Sequence, residues 1–308
     1  MMSKLKTFGL ELRATFLTAT IVSILLGAAM AYARVQVFDL GFFVLSLIAG
    51  VFLHLGTNVI NDYFDHKSGG DEANKEYIRP FSGGSRMIQL GLLSPREVLF
   101  EALFLYAAGT IIGFYIALAR GIAIVALGLT GLFSGIFYVG PPFKLANRGI
   151  GEIFVGVNFG ILMTMGSYYV QTKTLNVEPF AASVPIALLI FGVVYINEFL
   201  DYNADKTVGK NTLVVRLGRE KAAQGFAVIM GLVYLSIAIG VVANIMPIST
   251  LIGFITLPIA IRAVRNTLKN HSIPIKLVPS NASTILCHLL TSLLLSVGYL
   301  IAFLMVAK

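Results

Sequence analysis

Charge is what this sequence has least of. Only 12% of its 308 residues are Asp, Glu, Lys or Arg, against 57% hydrophobic, and the mean hydropathy is +0.85, far from the balance of a soluble domain of that length. So few charges cannot clothe a water-facing surface, and the chain reads as a membrane protein. Cysteine is nearly missing: Cys287 stands alone, which excludes an internal disulfide and a cysteine-built metal cluster, and leaves it a core or lipid-facing place. Alternating ten-residue segments are also missing, which argues against a membrane β-barrel. No cleavable leader is evident. The first apolar stretch follows Lys4, Lys6 and Arg13, is long enough to span and lacks a small-residue cleavage site, so it reads as a signal anchor.

What the chain has in abundance is long apolar runs. About nine occur, near 12–33, 39–60, 98–119, 121–140, 150–171, 181–200, 225–245, 249–267 and 284–306, each near the roughly 20 residues that cross a bilayer as a helix. The expected fold is all-α: a single integral-membrane domain over 1–308, a bundle of about nine transmembrane helices around a central cavity. Glycine and other small residues within the runs suit close helix packing in lipid. The net charge of +8 does not point to nucleic acid, because the basic residues are segregated. With the N-terminus inside, only Arg34, Arg120, Lys173 and Lys308 fall on the outer side, which leaves 19 of the 23 Lys and Arg inside. Positive loops stay cytoplasmic, so the N-terminus is expected inside and the C-terminus outside. The same excess favours an anionic lipid surface or an anionic substrate on the cytoplasmic face.

Two inner segments are long and polar, about 61–97 and 201–224. The first contains "SGGDEANKEYIRPFSGGSR", whose Gly, Ser and Pro suit a loop that turns back on itself. It ends in a helix-start signal, with Ser94 as N-cap, Pro95 at the first position and Glu97 at the third, so a span is expected to begin near Pro95. Asn61-Asp62-Tyr63-Phe64-Asp65 and Asn197-Glu198-Phe199-Leu200-Asp201 both read Asn-acid-x-x-Asp at the inner end of an apolar run. The echo suggests two helices facing one cavity.

Of six aspartates, Asp62, Asp65, Asp71, Asp201 and Asp205 fall in these two segments and only Asp39 lies elsewhere. On a helix, Asp62 with Asp65 and Asp201 with Asp205 share faces and can bracket an ion; Asn61 and Asn197, four residues before Asp65 and Asp201, add amide oxygens. Carboxylate and amide oxygens suit a hard cation such as Mg²⁺, which completes its shell with water and substrate phosphate. The alternative is a pair of solvated helix ends, yet carboxylates are disfavoured at helix C-termini. Lys67, Arg79, Arg86, Lys144, Lys206 and Lys210 lie near the acids in sequence or at the same inner face and can serve a polyanion or anchor the inner surface. Pro141-Pro142 ends a span and brings Tyr138 and Lys144 toward the mouth.

Asn61-Asp62-x-x-Asp65 paired with Asp201-x-x-x-Asp205 across nine apolar runs resembles the UbiA superfamily of intramembrane aromatic prenyltransferases, over nearly the whole chain. "NDYFDHKSGGD", "RPFSGGSR" and "NEFLDYNADKTVGKNTLVVRLG" look most like its menaquinone-pathway branch, which prenylates 1,4-dihydroxy-2-naphthoate. The ubiquinone-type motif has a further Asp where this chain has Gly69, and Asp71 is the substitute, as in menaquinone-type sequences. The resemblance implies two Mg²⁺ ions held by Asn61, Asp62, Asp65, Asp71, Asn197, Asp201 and Asp205. It implies a polyprenyl diphosphate held by Arg79, Lys67, Arg86, Lys206, Lys210 and Ser82, with Asp65, Asp201 and Lys144 acting at the leaving diphosphate and the Tyr138 ring facing the allylic cation. The acceptor is then an aromatic ring, and the tail stays in the apolar bundle.

Two other readings fit parts of the pattern. An ion-coupled transporter also places carboxylates at membrane depth, although its acids are expected near the midplane. A lipid-forming enzyme that prenylates a glyceryl phosphate has similar motifs, but usually Arg-Pro-x-x-Pro-Ser-Gly where this chain has Arg79-Pro80-Phe81-Ser82-Gly83. His54, inside the second run, reads as a core histidine, and the "NAS" at 281–283 as a chance match on an inner loop.

Overall fold

The computed structural model describes residues 3–306. Its helices are α1 (Lys4–Glu11), α2 (Thr18–Val35), α3 (Leu40–Ser68), α4 (Gly70–Ala73), α5 (Pro95–Arg120), α6 (Ala123–Ile136), α7 (Gly151–Gly156), α8 (Met163–Thr172), α9 (Val177–Thr207), α10 (Leu213–Leu217), α11 (Arg219–Val242), α12 (Leu257–Asn270) and α13 (Val278–Val306). No strand occurs among the described residues. A π-helical stretch, Val157–Leu162, joins α7 to α8 in one rod, and a 3-10 stretch, Ile248–Thr256, leads into α12. Eight rods are long and apolar enough to cross a membrane, and α6 is a shorter apolar helix of 14 residues. These are the nine expected segments. At 1.5 Å per residue α6 reaches only about 21 Å, because Phe137 ends it and Pro141-Pro142 turns the chain back.

The expected start of α5 is found at Pro95: the Ser94 side chain accepts from the Glu97 N–H while Glu97 reaches back to the Ser94 N–H, a complete capping box. Along α5 the outward stripe Phe100, Phe104, Ile111 and Leu118 is exposed, the inverse of a soluble helix and the pattern of a lipid-facing wall. Small residues bring the helix backbones together elsewhere. A Cβ on Gly27 of α2 would sit 2.3 Å from the Thr164 carbonyl oxygen of α8, and the Ser167 hydroxyl donates to the Ile24 carbonyl at 2.6 Å. Gly160, in the π stretch, lies against Ala187 of α9, where an added Cβ would be 2.5 Å from its Cα.

Four buried apolar clusters hold the seams, the smallest of them Ala49, Ile116 and Val170 between α3, α5 and α8. Phe199, Phe226, Met230 and Cys287 join α9, α11 and α13; Leu26, Met30, Ile186 and Tyr299 join α2, α9 and α13; Val59, Val98 and Leu105 join α3 to α5. Cys287 thus takes the core place expected of it. At the end of the bundle opposite the acidic motifs, Arg34 pairs with Glu178 and Arg120 with Asp39, so the few basic residues there are largely neutralised. Lys308, counted on that side, lies outside the described residues.

Candidate active site

The acidic motifs sit on helix, not loop. α3 continues through Ser68 and α9 through Thr207, so the polar segments begin later than the sequence reading placed them, and Asn61, Asp65, Asn197, Asp201 and Asp205 project from the last turns. With 100° per residue, positions four apart differ by only about 40°. Asn61 with Asp65, and Asn197 with Asp201 and Asp205, therefore share faces. Both faces wall one polar chamber of about 170 Å³, together with Glu198, Asp71, Asn74, the Ser82-Gly83-Gly84 turn and Lys210. The two echoing segments, more than a hundred residues apart, meet there.

The loop after α4 closes the chamber. Gly84 has φ +63 and an added Cβ would lie 2.9 Å from Asp62 Oδ1, so a side chain is excluded at that turn. The Ser82 hydroxyl accepts from the Ile78 N–H at 2.8 Å. Arg79 donates to the Ser85 carbonyl at 2.7 Å. Arg86 donates to the carbonyls of Asp71 and Asn74 and lies 4.3 Å over the Tyr77 ring. Both arginines thus brace the loop, and neither is on the chamber wall.

Asp62 is turned away from its motif partners. Three positions before Asp65, it lies about 60° around the helix. It accepts from the Ser85 N–H at 2.9 Å and stands 3.3 Å from Arg13 Nη2. It is 3% exposed and off the chamber wall, whereas Glu198, its counterpart in the echo, is on it. Lys67, Lys144 and Lys206 are exposed and off both chamber walls. Of the sequence-selected basic residues, Lys210 alone lines the chamber. Its Nζ is 3.6 Å from Asp65 Oδ1 and 3.7 Å from Asp205 Oδ1. Burial disfavours its charge, but Asp205 and Asp65 outweigh that and hold its pKa well above the usual lysine value.

The donor set bears on whether a cation fits. Among the described residues no three His, Cys, Asp or Glu side chains converge tightly enough to enclose an ion unaided. What converges instead is a looser group of carboxylates with the amides of Asn61, Asn74 and Asn197, hard oxygens that suit a cation retaining water and taking phosphate oxygens. Asn61 Oδ1 is buried there without a hydrogen-bond partner. Burial, then Asp65 and Asp62, push the Asp71 carboxyl up to about 8, the mark of carboxylates crowded together with too little positive charge between them. A divalent cation fits these residues.

The polar chamber opens into a second, apolar one of about 430 Å³ within the bundle. Arg13, Asn61, Phe81, Tyr138, Val194 and Asn197 line both and mark the seam. Tyr138, which the sequence reading brings toward the inner mouth, lines both chambers. His54 lines the apolar chamber and is satisfied there, 2.8 Å from the Thr20 hydroxyl and with its ring 4.3 Å from Phe159. Thr57 with Tyr106, and Ser134 with Asn158 of the π stretch, are bonded pairs in the same wall.

The model of the UbiA prenyltransferase family matches residues 20–273. The chain belongs to this family. It is an integral multi-pass membrane prenyltransferase, and its relatives include enzymes of the menaquinone branch. Two are named 1,4-dihydroxy-2-naphthoate octaprenyltransferase: that of Bacillus subtilis is 29% identical over 93% of this chain and 90% of its own length, and that of Escherichia coli 30% identical over 94% and 93%. The fold matches a UbiA homolog from Aeropyrum pernix with TM-score 0.67 at 18% identity, over 92% of this chain and 97% of that one. A UbiA homolog from Archaeoglobus fulgidus, solved bound to DMAPP and Mg²⁺, matches with TM-score 0.57 at 15% identity, over 93% and 99%.

The residue that sequence reading missed is Arg13, taken as an inner-face anchor. Glu11, just before it, is buried and accepts from the Ser85 hydroxyl, which docks α1 onto the active-site loop. Burial, then Asp62, raise its pKa from 4.5 to about 8. The folded state therefore favours the protonated carboxyl: docking is fully stable below about 4.5 and weakens as pH rises through about 8. Hydrogen exchange in residues 4–11, corrected for intrinsic rate, is expected to be faster at pH 9 than at pH 6. Glu11→Gln should remove that dependence, and a profile unchanged by the substitution would contradict the assignment.

Proposed function

We propose that this chain transfers a polyprenyl group from an allylic diphosphate to 1,4-dihydroxy-2-naphthoate, with Mg²⁺ as cofactor, in menaquinone synthesis. The observation that carries this reading is the pairing of a carboxylate-rich polar chamber with an apolar chamber across one seam. A prenyl diphosphate has the same two halves. Asn61, Asp65 and Asp71 on one side, and Asn197, Asp201 and Asp205 on the other, would hold two Mg²⁺ ions. When bound, such ions neutralise the diphosphate and stabilise it as a leaving group.

Within this frame the Lys210 ammonium neutralises charge that grows on the diphosphate as the allylic C–O bond breaks and its electron pair passes to oxygen. The Tyr138 ring, on the seam, faces the allylic cation. The apolar walls exclude water that would otherwise capture it. The acceptor ring then forms the new C–C bond and loses a proton, or its carboxylate as CO₂. Positive-inside charge bias supports an active site toward the cytoplasm, with the N-terminus inside and the C-terminus outside.

The test incubates purified protein with Mg²⁺, prenyl diphosphates of graded length and a panel of aromatic and glyceryl phosphate acceptors, with products identified by mass. Prenylated naphthoate products are expected. Products from glyceryl phosphate alone would move the chain to the lipid-forming branch, and no diphosphate release with any pair would favour transport. Gly166, on the apolar wall, has only Leu127 Cδ1 at 3.8 Å from an added Cβ, so a larger side chain there projects into open space. Gly166→Leu is expected to shift the longest accepted donor toward fewer isoprene units at unchanged use of short ones, and an unshifted product range would contradict the tail's placement.

A further inference from the structure

The wall of the apolar chamber is built from aliphatic, aromatic and neutral polar side chains with one exception: Arg13 is the only Lys, Arg, Asp or Glu on it among the described residues. A guanidinium facing an apolar cavity is costly unless something anionic meets it. Arg13 is also held at an unusual place. It has φ +48, the left-handed region that non-glycine residues seldom occupy. It is fixed by Nη2 hydrogen-bonding to the Asn58 carbonyl at 3.1 Å while Asn58 returns a hydrogen bond to the Leu12 carbonyl at 3.2 Å. Asp62, 3.3 Å from the same Nη2, takes up part of the charge on one edge of the fork. The Nε–H is buried with no hydrogen-bond partner. A strained backbone and an orphaned charged donor at a cavity seam together mark a ligand contact.

The polar chamber already serves the anionic end of the donor with Lys210 and the acidic faces. Arg13 stands on the seam between the two chambers, where the allylic carbon and the acceptor ring must meet. We propose that Arg13 binds the carboxylate of an aromatic-acid acceptor, and so selects acidic rings over neutral ones. This rests on the acceptor reading given above. In this arrangement the ring lies against the apolar wall beside Phe81 while its carboxylate takes the Nε–H that has no partner within the fold. Such a charge-assisted contact gives orientation as well as affinity.

The experiment compares 1-hydroxy-2-naphthoate, its methyl ester and 1-naphthol as inhibitors of prenyl transfer to 1,4-dihydroxy-2-naphthoate. Wild-type enzyme is expected to bind the acid at least about tenfold more tightly than the ester or the naphthol, the loss typical of one hydrogen bond to a charged group. Arg13→Gln should erase that preference and raise the acceptor KM, while the donor KM stays within about twofold; Arg13→Lys should keep part of the preference. Equal inhibition by acid and ester in the wild type overturns the role of Arg13 without needing any variant to fold. So does Arg13→Gln raising the donor KM as much as the acceptor KM, or leaving the acid preference intact. A wild-type enzyme that prenylates no aromatic acid at all sinks the acceptor reading itself, a result distinct from turnover without acid preference.

Discussion

Asp65→Ala and Asp201→Ala are each expected to lower prenyl transfer by roughly 10³-fold, the upper range for removing one group that stabilises developing charge. The protein should still elute as a folded species in detergent. Both carboxylates come from the last turns of long helices whose apolar packing lies elsewhere, so their loss leaves the bundle intact. Asp201 accepts from the Asn74 amide at 2.5 Å and Asp65 faces Lys210, so each also ties a loop residue to its helix. Removing either relieves repulsion among like charges, which offsets part of the lost contact. Diphosphate release and product mass measure turnover, and thermal unfolding measures the fold. Near-normal turnover in both variants would remove the two motifs from the chemistry.

Lys210→Met should lower turnover by about 10²-fold and also lower thermal stability in divalent-free buffer. Among the described residues Lys210 is the one ammonium between Asp65 on α3 and Asp205 on α9. Without it those carboxylates confront each other across a buried chamber, and breaking one side of such a pair is strongly destabilising. Added Mg²⁺ should restore much of the lost stability and little of the lost turnover, because a cation can screen the carboxylates without replacing a donor aimed at the leaving group. Lys210→Arg keeps the charge with a different reach, and partial activity is expected. A variant as stable and as active as wild type would contradict both roles.

Much of this was legible beforehand because it depends on local pattern. Nine apolar runs give nine helical segments. Ser94-Pro95-x-Glu97 starts α5 where a capping box must. The four-residue spacing of Asn61 with Asp65, and of Asn197 with Asp201, is enough to put each pair on one face. What stayed hidden depends on how the chain turns. The direction taken after Pro141-Pro142 leaves Lys144 exposed, which spacing could not reveal. Arg79 and Arg86 sit in the right segment, but the loop folds so that their donors meet its own carbonyls. Arg13 precedes a span, where every basic residue reads as an anchor. Its meaning comes from a left-handed backbone and a carboxylate far along the chain. Asp62 was grouped with Asp65 because three residues is nearly a turn, but the remaining rotation turns it to Arg13.

The π stretch between α7 and α8 accommodates one surplus residue within a single rod. Ser134 bonds to Asn158 inside it, and immediately beyond it the Thr164 carbonyl closes on Gly27 and the Ser167 hydroxyl donates to the Ile24 carbonyl of α2. Deleting one position in 157–162 would take out that surplus and leave both flanks on their present faces. Losing or gaining one residue in the regular turns on either side would instead swing everything downstream by about 100° about the rod's axis. That tight seam would then meet bulk where it now meets glycine. In lineages that keep this seam, the rod's length outside 157–162 should be frozen to the residue, while the outer loops remain free to grow and shrink.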